Sequence, residues 1–214
     1  MAAGDERPAR HEGRGRGSGK FEQRRTELAD AALKTLSELG YARTSLREIA
    51  QNSEFSHGVL HYYFIDKVDL ITQCVRQYKK RCMCRYDDIV DTATTGSQLR
   101  HDFALAMAES MVQDSDLHRL WYDLRSQSMF DDAFRADVGA IDTGLQDMTW
   151  RVATRISQLA AVPLPFGADV IYGLLDGLFQ QALLRHCGGD ATASDYLIGA
   201  IDEVMARFMP LAPV

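Results

Sequence analysis

The residues best suited to chemistry cluster between positions 44 and 67. Thr44, Ser45, Ser56, His57, His61, Tyr62, Tyr63 and Lys67 bring hydroxyl, imidazole and ammonium groups into one short stretch, with Gly58 among them. Such groups donate hydrogen bonds to phosphate oxygens and base edges, the chemistry of nucleic-acid recognition. His57 and His61 stand one helical turn apart, a spacing that can chelate zinc. Only Glu54 lies near enough to add a ligand, and two histidines alone make a poor site. No metal is therefore expected. Catalysis has less support, because no hydrolase elbow, Walker loop, dinucleotide fingerprint or HExxH motif occurs. What remains is scattered carboxylates such as Glu109, Asp123 and Asp176, so neither an enzyme nor a cofactor is expected.

Two short helices must position the cluster. Thr44 or Ser45 can cap the first, and Ser45 with Glu48 forms a capping box ahead of Ile49 and Ala50. Ser56 can cap the second, which carries His57, Gly58, Val59, His61, Tyr62 and Tyr63. Helices this short need packing to persist in water, and Leu46, Ile49, Ala50, Phe55, Leu60 and Phe64 are spaced to supply it. A preceding helix from Phe21 to Leu39 offers Leu28, Ala31, Ala32, Thr35, Leu36 and Leu39 on one face, with Gly40 as its stop. Together these elements form a helix-turn-helix pattern, whose second helix lies in the DNA major groove.

The residues in fixed order across this stretch are Gly40, Tyr41, Thr44, Ser45, Ile49, Ala50, Ser56, Gly58, Leu60, His61, Tyr62, Tyr63, Phe64 and Lys67. In that order the chain resembles the TetR family of transcriptional regulators. Three departures from the family pattern, over five positions, stand out. Ser53, Glu54 and Phe55 replace its usual Ala-Gly-Val turn, His61 stands at its usual first tyrosine, and Tyr63 at its usual histidine. The turn then depends on Phe55 to plug the core. Both ring substitutions keep a hydrogen-bond donor, so docking is expected to survive while base preference shifts. The assignments that follow are Thr44, Tyr63 and Lys67 on phosphates, with Ser45 and Ser56 beside them. His57, Gly58, His61 and Tyr62 fall at or near base edges, where the absent Gly58 side chain lets the backbone approach.

Charge is segregated along the 214 residues. Residues 1–85 hold 16 Lys and Arg against 11 Asp and Glu, a balance of +5, whereas residues 86–214 hold 8 against 19, a balance of −11. A basic end on an acidic remainder suits a polyanionic partner at one end only. Residues 1–20, with Arg7, Arg10, Arg14, Arg16 and Lys20 among glycines, read as a disordered basic arm or simply a tail. Lys79, Lys80 and Arg81 read as a solvated face or a further phosphate contact. The cysteines at 74, 82, 84 and 187 form no disulfide framework. No apolar run approaches the length of a membrane span and no signal peptide opens the chain, so a cytoplasmic protein is expected.

The expected fold class is all-α. A fourth helix should run from Asp66 to about Val90, followed by helices near 97–113, 116–129, 131–160, 167–187 and 193–209, with Pro163 and Pro165 marking a firm break. The domain reading is an arm over 1–20, a helix-turn-helix unit over 21–66 and a larger helical part over 67–214.

Two features of that larger part suggest partners. Gly173 and Gly177, one turn apart, would let another helix approach closely. With Asp176, Leu197, Ile201, Val204 and Met205 they form a candidate dimer interface, the alternative being a pair of helices closing their own core. The family resemblance implies a four-helix interface in a homodimer, and hence a palindromic operator. Met107, Met111, Trp121, Tyr122, Met129, Phe130, Trp150, Tyr172 and Phe179 suit a core singly and an apolar pocket collectively. Arg125, Asp123, Gln127, Glu109 and His118 are candidate polar handles. In the family this part binds a small inducer, with the fourth helix as the coupling element. The acidic excess favours a neutral or cationic ligand, and the short segment LLDGLFQQALL resembles the family's choline-responsive branch. The expected function is a ligand-responsive repressor that binds double-stranded DNA. The rival is a helical small-molecule- or partner-binding protein with a degenerate DNA-binding head.

Overall fold

The computed structural model describes residues 13–40 and 44–208, and among these every regular element is a helix. The order is α1 (Gly13–Leu39), α2 (Leu46–Gln51), α3 (His57–Tyr63), α4 (Lys67–Cys84), α5 (Asp87–Thr92), α6 (Gly96–Gln113), α7 (Ser115–Gln127), α8 (Asp132–Ala160), α9 (Ala168–Cys187) and α10 (Ala193–Phe208). The expected all-α class is the one observed.

Local chemistry sets most of the boundaries. Gly40, at φ +73°, ends α1 and donates its N–H to the Leu36 carbonyl at 2.8 Å. Ser45 makes the expected capping box with Glu48, and Ser56 accepts from the Val59 N–H. Asp66 caps α4 through the Asp69 N–H. The turn after α8 is less comfortable, because Ala161 takes φ +53° there, a region that suits glycine.

Two boundaries depart from expectation. Helix α1 begins at Gly13 rather than Phe21, so residues 13–20 continue the helix and only residues 1–12 of the expected arm lie outside the described chain. The fourth helix ends at Cys84 and restarts as α5. Buried Tyr86 turns edge-on to Phe103, and Arg85 pairs with Asp114 at 2.5 Å, so tertiary contacts break a helix that no Gly or Pro interrupts.

Helix α4 lies between α1 and α8 and joins the head to the body. Leu70, Ile71, Cys74 and Val75 on α4 are buried with Leu28, Ala29, Ala32 and Leu36 of α1 in one continuous core. The Cys74 thiol reaches the Ala29 carbonyl at 3.1 Å, so the two helices touch closely. Helix α6, with Leu99, Phe103, Ala104 and Met111 buried, is covered by α8 and α10. Burying such side chains is worth roughly 1.5–3 kcal/mol each, the main term holding the body together.

Candidate nucleic-acid interface and ligand cavity

Helix α3 is held from behind by buried Leu60 and half-buried Val59, which leaves His57, Gly58, His61 and Tyr62 facing solvent. Tyr62 is 73% exposed, a large cost in apolar contact unless something covers it. The His57 and His61 rings lie edge to face with their Nε2 atoms 3.1 Å apart. No group of three His, Cys, Asp or Glu placed to hold a metal occurs among the described residues. Tyr63 is half-buried and packs on Phe21 of α1, with ring centroids 4.9 Å apart. Arg24 and Arg25 reach from the same helix over the Phe55 and Phe64 rings, so α1 clamps both ends of α3. Phe55 packs against the core, as the altered turn requires, and its N–H donates to the Ser53 hydroxyl at 3.3 Å.

Thr44 departs from its expected place. Its side chain is buried and its hydroxyl donates to the Gly40 carbonyl at 2.6 Å, so it braces the turn from within instead of offering a donor to phosphate. Ser45 and Ser56 are exposed at their helix N-termini. Lys67 is half-buried at the first turn of α4. Burial holds its ammonium below the usual lysine range, against the opposing pull of Glu48 and Asp123.

The body holds a partly open cavity of about 60 Å³ between α4, α6, α7, α8 and α9. Of the residues expected to line it, Met107, Trp121, Tyr122, Tyr172 and Phe179 do so. Met111 is wholly buried elsewhere in the core, and Trp150 is half-buried outside the cavity lining. Met129 and Phe130 are corrected outright: at the end of α7 they are 69% and 86% exposed. Asp123, Gln127 and Glu109 do not line it either, whereas His118 does.

Lys79, Ser110 and His118 define one wall. His118 is buried with its Nδ1 3.4 Å from the Lys79 ammonium and its Nε2 3.0 Å from the Ser110 hydroxyl and 3.1 Å from the Tyr78 hydroxyl. Burial, then the charges of Lys79 and Arg85, push His118 down to about 2, so the ring is neutral. Lys79 is equally buried, which corrects its reading as a solvated side chain. Its Nζ sits 5.2 Å from the Trp121 ring centre and 5.3 Å from that of Tyr78. Burial lowers Lys79 from 10.5 to about 8. Periodicity held the signal for Lys79, since it shares a face with Val75, Tyr78 and Cys82.

The opposite wall is already neutralised. The Tyr122 hydroxyl donates to Asp176 Oδ1 at 2.9 Å, and Arg125 donates to Asp176 Oδ2 at 2.5 Å. Arg125 also reaches Asp142 at 3.3 Å, and Tyr172 donates to the same carboxylate. Burial and the neighbouring Asp176 push the Tyr122 phenol up, so it stays protonated as a donor. Arg125 therefore seals the cavity from behind Asp176 instead of lining it.

The remaining interface residues divide. Leu197, Ile201 and Met205 are buried within this chain and Asp176 turns into the cavity, so none of these four is free to face a partner. Val204 is half-buried. Gly173 and Gly177 are exposed, and a Cβ added at either meets nothing within 4 Å. Val170, Leu174 and Leu184 share that open face of α9, Leu184 at 68% exposed.

Known proteins share this fold. The chain is 23% identical over 162 residues to the HTH-type transcriptional repressor KstR2 of Mycobacterium tuberculosis, covering 62% of this chain and 81% of that protein. Its fold superposes on FadR of Bacillus subtilis in complex with stearoyl-CoA with TM-score 0.69 at 15% identity, covering 88% and 98% of the two chains. It superposes equally on a transcriptional regulator of Saccharomonospora viridis in complex with choline, with TM-score 0.69 at 17% identity, covering 86% and 96%. Residues 28–74, from the buried face of α1 through α3 into α4, match the model of the bacterial regulatory proteins of the tetR family, and this part of the chain is a TetR-type helix-turn-helix head.

Proposed function

We propose that this protein represses transcription as a homodimer that holds a palindromic operator with α3 and releases it when a small molecule fills the cavity behind α4. The observation that carries the reading is the division of one helix between two tasks. Lys67 starts α4 against the head, and Lys79 and Cys82 of the same helix line the cavity. A ligand that displaces the second half of α4 must move the first. His57, His61 and Tyr62 meet base edges, with Gly58 allowing close approach, while Ser45, Ser56, Tyr63 and Lys67 anchor phosphates. Thr44 supports them from inside. Residues 21–66 are then the DNA-reading unit, lengthened by the first turns of α1, and residues 67–214 bind effector and partner. Such a regulator works in the cytoplasm.

The dimer would form through the open face of α9, where Val170, Gly173, Leu174, Gly177 and Leu184 align at helical spacing. Pairing by two-fold symmetry places the two α3 helices on successive major grooves, roughly 34–36 Å apart. Choline and stearoyl-CoA, found with the two structural neighbours, differ in charge and size, so the effector class has to be read from this chain's own lining.

Binding to a labelled duplex from upstream of its own gene, at two salt concentrations, tests the reading. Tight binding that weakens steeply with salt is expected as counterions are released. Lys67→Ala should lower the salt slope by ~1, whereas His61→Ala should reorder preference among operator variants. Failure to bind either that duplex or a random-site library at low salt would refute the DNA role and favour a helical binding protein.

A further inference from the structure

We infer that the effector is a small monocarboxylic acid whose carboxylate pairs with the buried Lys79 ammonium while its apolar body lies among Trp121, Tyr86 and Phe179; this rests on the cavity being the effector site. Lys79 is 3% exposed and lines the cavity, yet no carboxylate oxygen stands within 4 Å of its Nζ among the described residues. Its polar neighbours are the neutral His118 and the Cys82 thiol, the Asp176 carboxylate acts on it only from beyond ion-pair distance, and it also meets the faces of Trp121 and Tyr78. A buried charge with only such partners is costly, and an anion arriving beside it relieves the cost.

Every other charge near Lys79 has its own partner. Arg85 pairs with Asp114, and Asp176 is held by Arg125 and Tyr122. A cationic ligand would find the Trp121 face taken by Lys79, the Tyr172 face approached by Arg125 at 5.9 Å, and Asp176 neutralised. The lining thus favours negative over positive charge, contrary to the expectation from the acidic composition of residues 86–214. The volume of about 60 Å³ limits the body to a compact one.

Benzoate, benzamide and benzamidinium share one shape and carry negative, zero and positive charge, so they separate charge from size. Calorimetric titration of each into the full-length protein, without DNA, should give benzoate binding roughly tenfold or more tighter than benzamide, with benzamidinium weakest. In Lys79→Met the preference for benzoate over benzamide should vanish while benzamide binding persists. That retained benzamide binding also shows the variant to be folded. Equal binding of benzoate and benzamide to the parent, a preference for benzamidinium, absence of benzoate binding at millimolar concentration, or an undiminished preference in Lys79→Met would each overturn the inference. Because no operator is present, this outcome is independent of whether the protein binds DNA.

Discussion

Replacing Lys79 by methionine should stabilise the protein near neutral pH, and the size of the gain follows from its surroundings. The side chain is buried, and burial brings the ammonium from 10.5 down to about 8. Below about pH 8 the folded protein carries the full penalty of holding that charge, roughly 3 kcal/mol at 1.36 kcal/mol per pH unit of displacement. A lysine depressed in this way leaves stability intact above pH 10.5, lowers it as pH falls, and exacts its whole cost below about 8. Methionine removes the penalty at similar volume. It also removes the attraction to the Trp121 and Tyr78 rings and leaves His118 Nδ1 without its donor, together returning about 1–2 kcal/mol. The expected net gain is about 1–2 kcal/mol near pH 7, or roughly 2–8 °C in Tm. Urea unfolding followed by tryptophan fluorescence suits the measurement, at equal protomer concentration for both proteins, because the proposed dimer would make stability depend on concentration. The gain should shrink as pH rises from 8 and change sign at about pH 9–10, where the falling penalty drops below what the substitution forfeits. A variant less stable than the parent at pH 7, or a difference that does not vary with pH, would refute the claim that Lys79 is a buried, poorly compensated charge.

Other expectations follow from single residues. Ala161→Gly should raise stability by about 1 kcal/mol, since φ +53° costs any residue with a Cβ; an unchanged urea midpoint would mean the turn is relaxed. His118, neutral in the fold and held near 2, protonates more readily once unfolded, so stability should drain away below pH 6.5 by roughly 1.4 kcal/mol per pH unit. His118→Gln should flatten that acid limb, and a variant that keeps the same slope would remove His118 as its source. Leu184→Glu, on the exposed face of α9, should shift sedimentation from dimer toward monomer without changing helical content, whereas an intact dimer would put the interface elsewhere.

Much of this was legible in the sequence where one local rule sufficed. Ser45 with Glu48, Ser56, Gly40 and the paired prolines fix helix ends by chemistry confined to a few neighbours, and those ends fall where they were expected. The break at Arg85 and Tyr86 has no such marker, because it is made by Phe103 and Asp114 from other helices. The cavity was half legible. Aromatic and Met residues announce an apolar interior, but which of them reach the void depends on helix packing, and Met129 and Phe130 lie just past the end of α7 where nothing covers them. Lys79 was obscured by its basic neighbours Lys80 and Arg81, although its period matched the buried face. Leu197, Ile201 and Met205 misled for the opposite reason, since an amphipathic stripe does not say whether α6 of the same chain or a second chain will cover it.

The closeness of Asp123 to Gly40 and Lys67 bears on transplanting heads between regulators. Trp121 and Tyr122 of α7 line the cavity, while the next residue, Asp123, brings a carboxylate oxygen within 3.8 Å of where a Gly40 Cβ would lie and attracts the Lys67 ammonium. The seam between the two halves of the chain therefore does not run through the loop before α4, however natural a cut there looks. A chimera joined at that loop would set a foreign Gly40 and Lys67 against an Asp123 shaped for others, and would be expected to bind DNA yet respond poorly to effector. Carrying positions 40, 67 and 123 together as one cassette is the smallest exchange that keeps the response with the head.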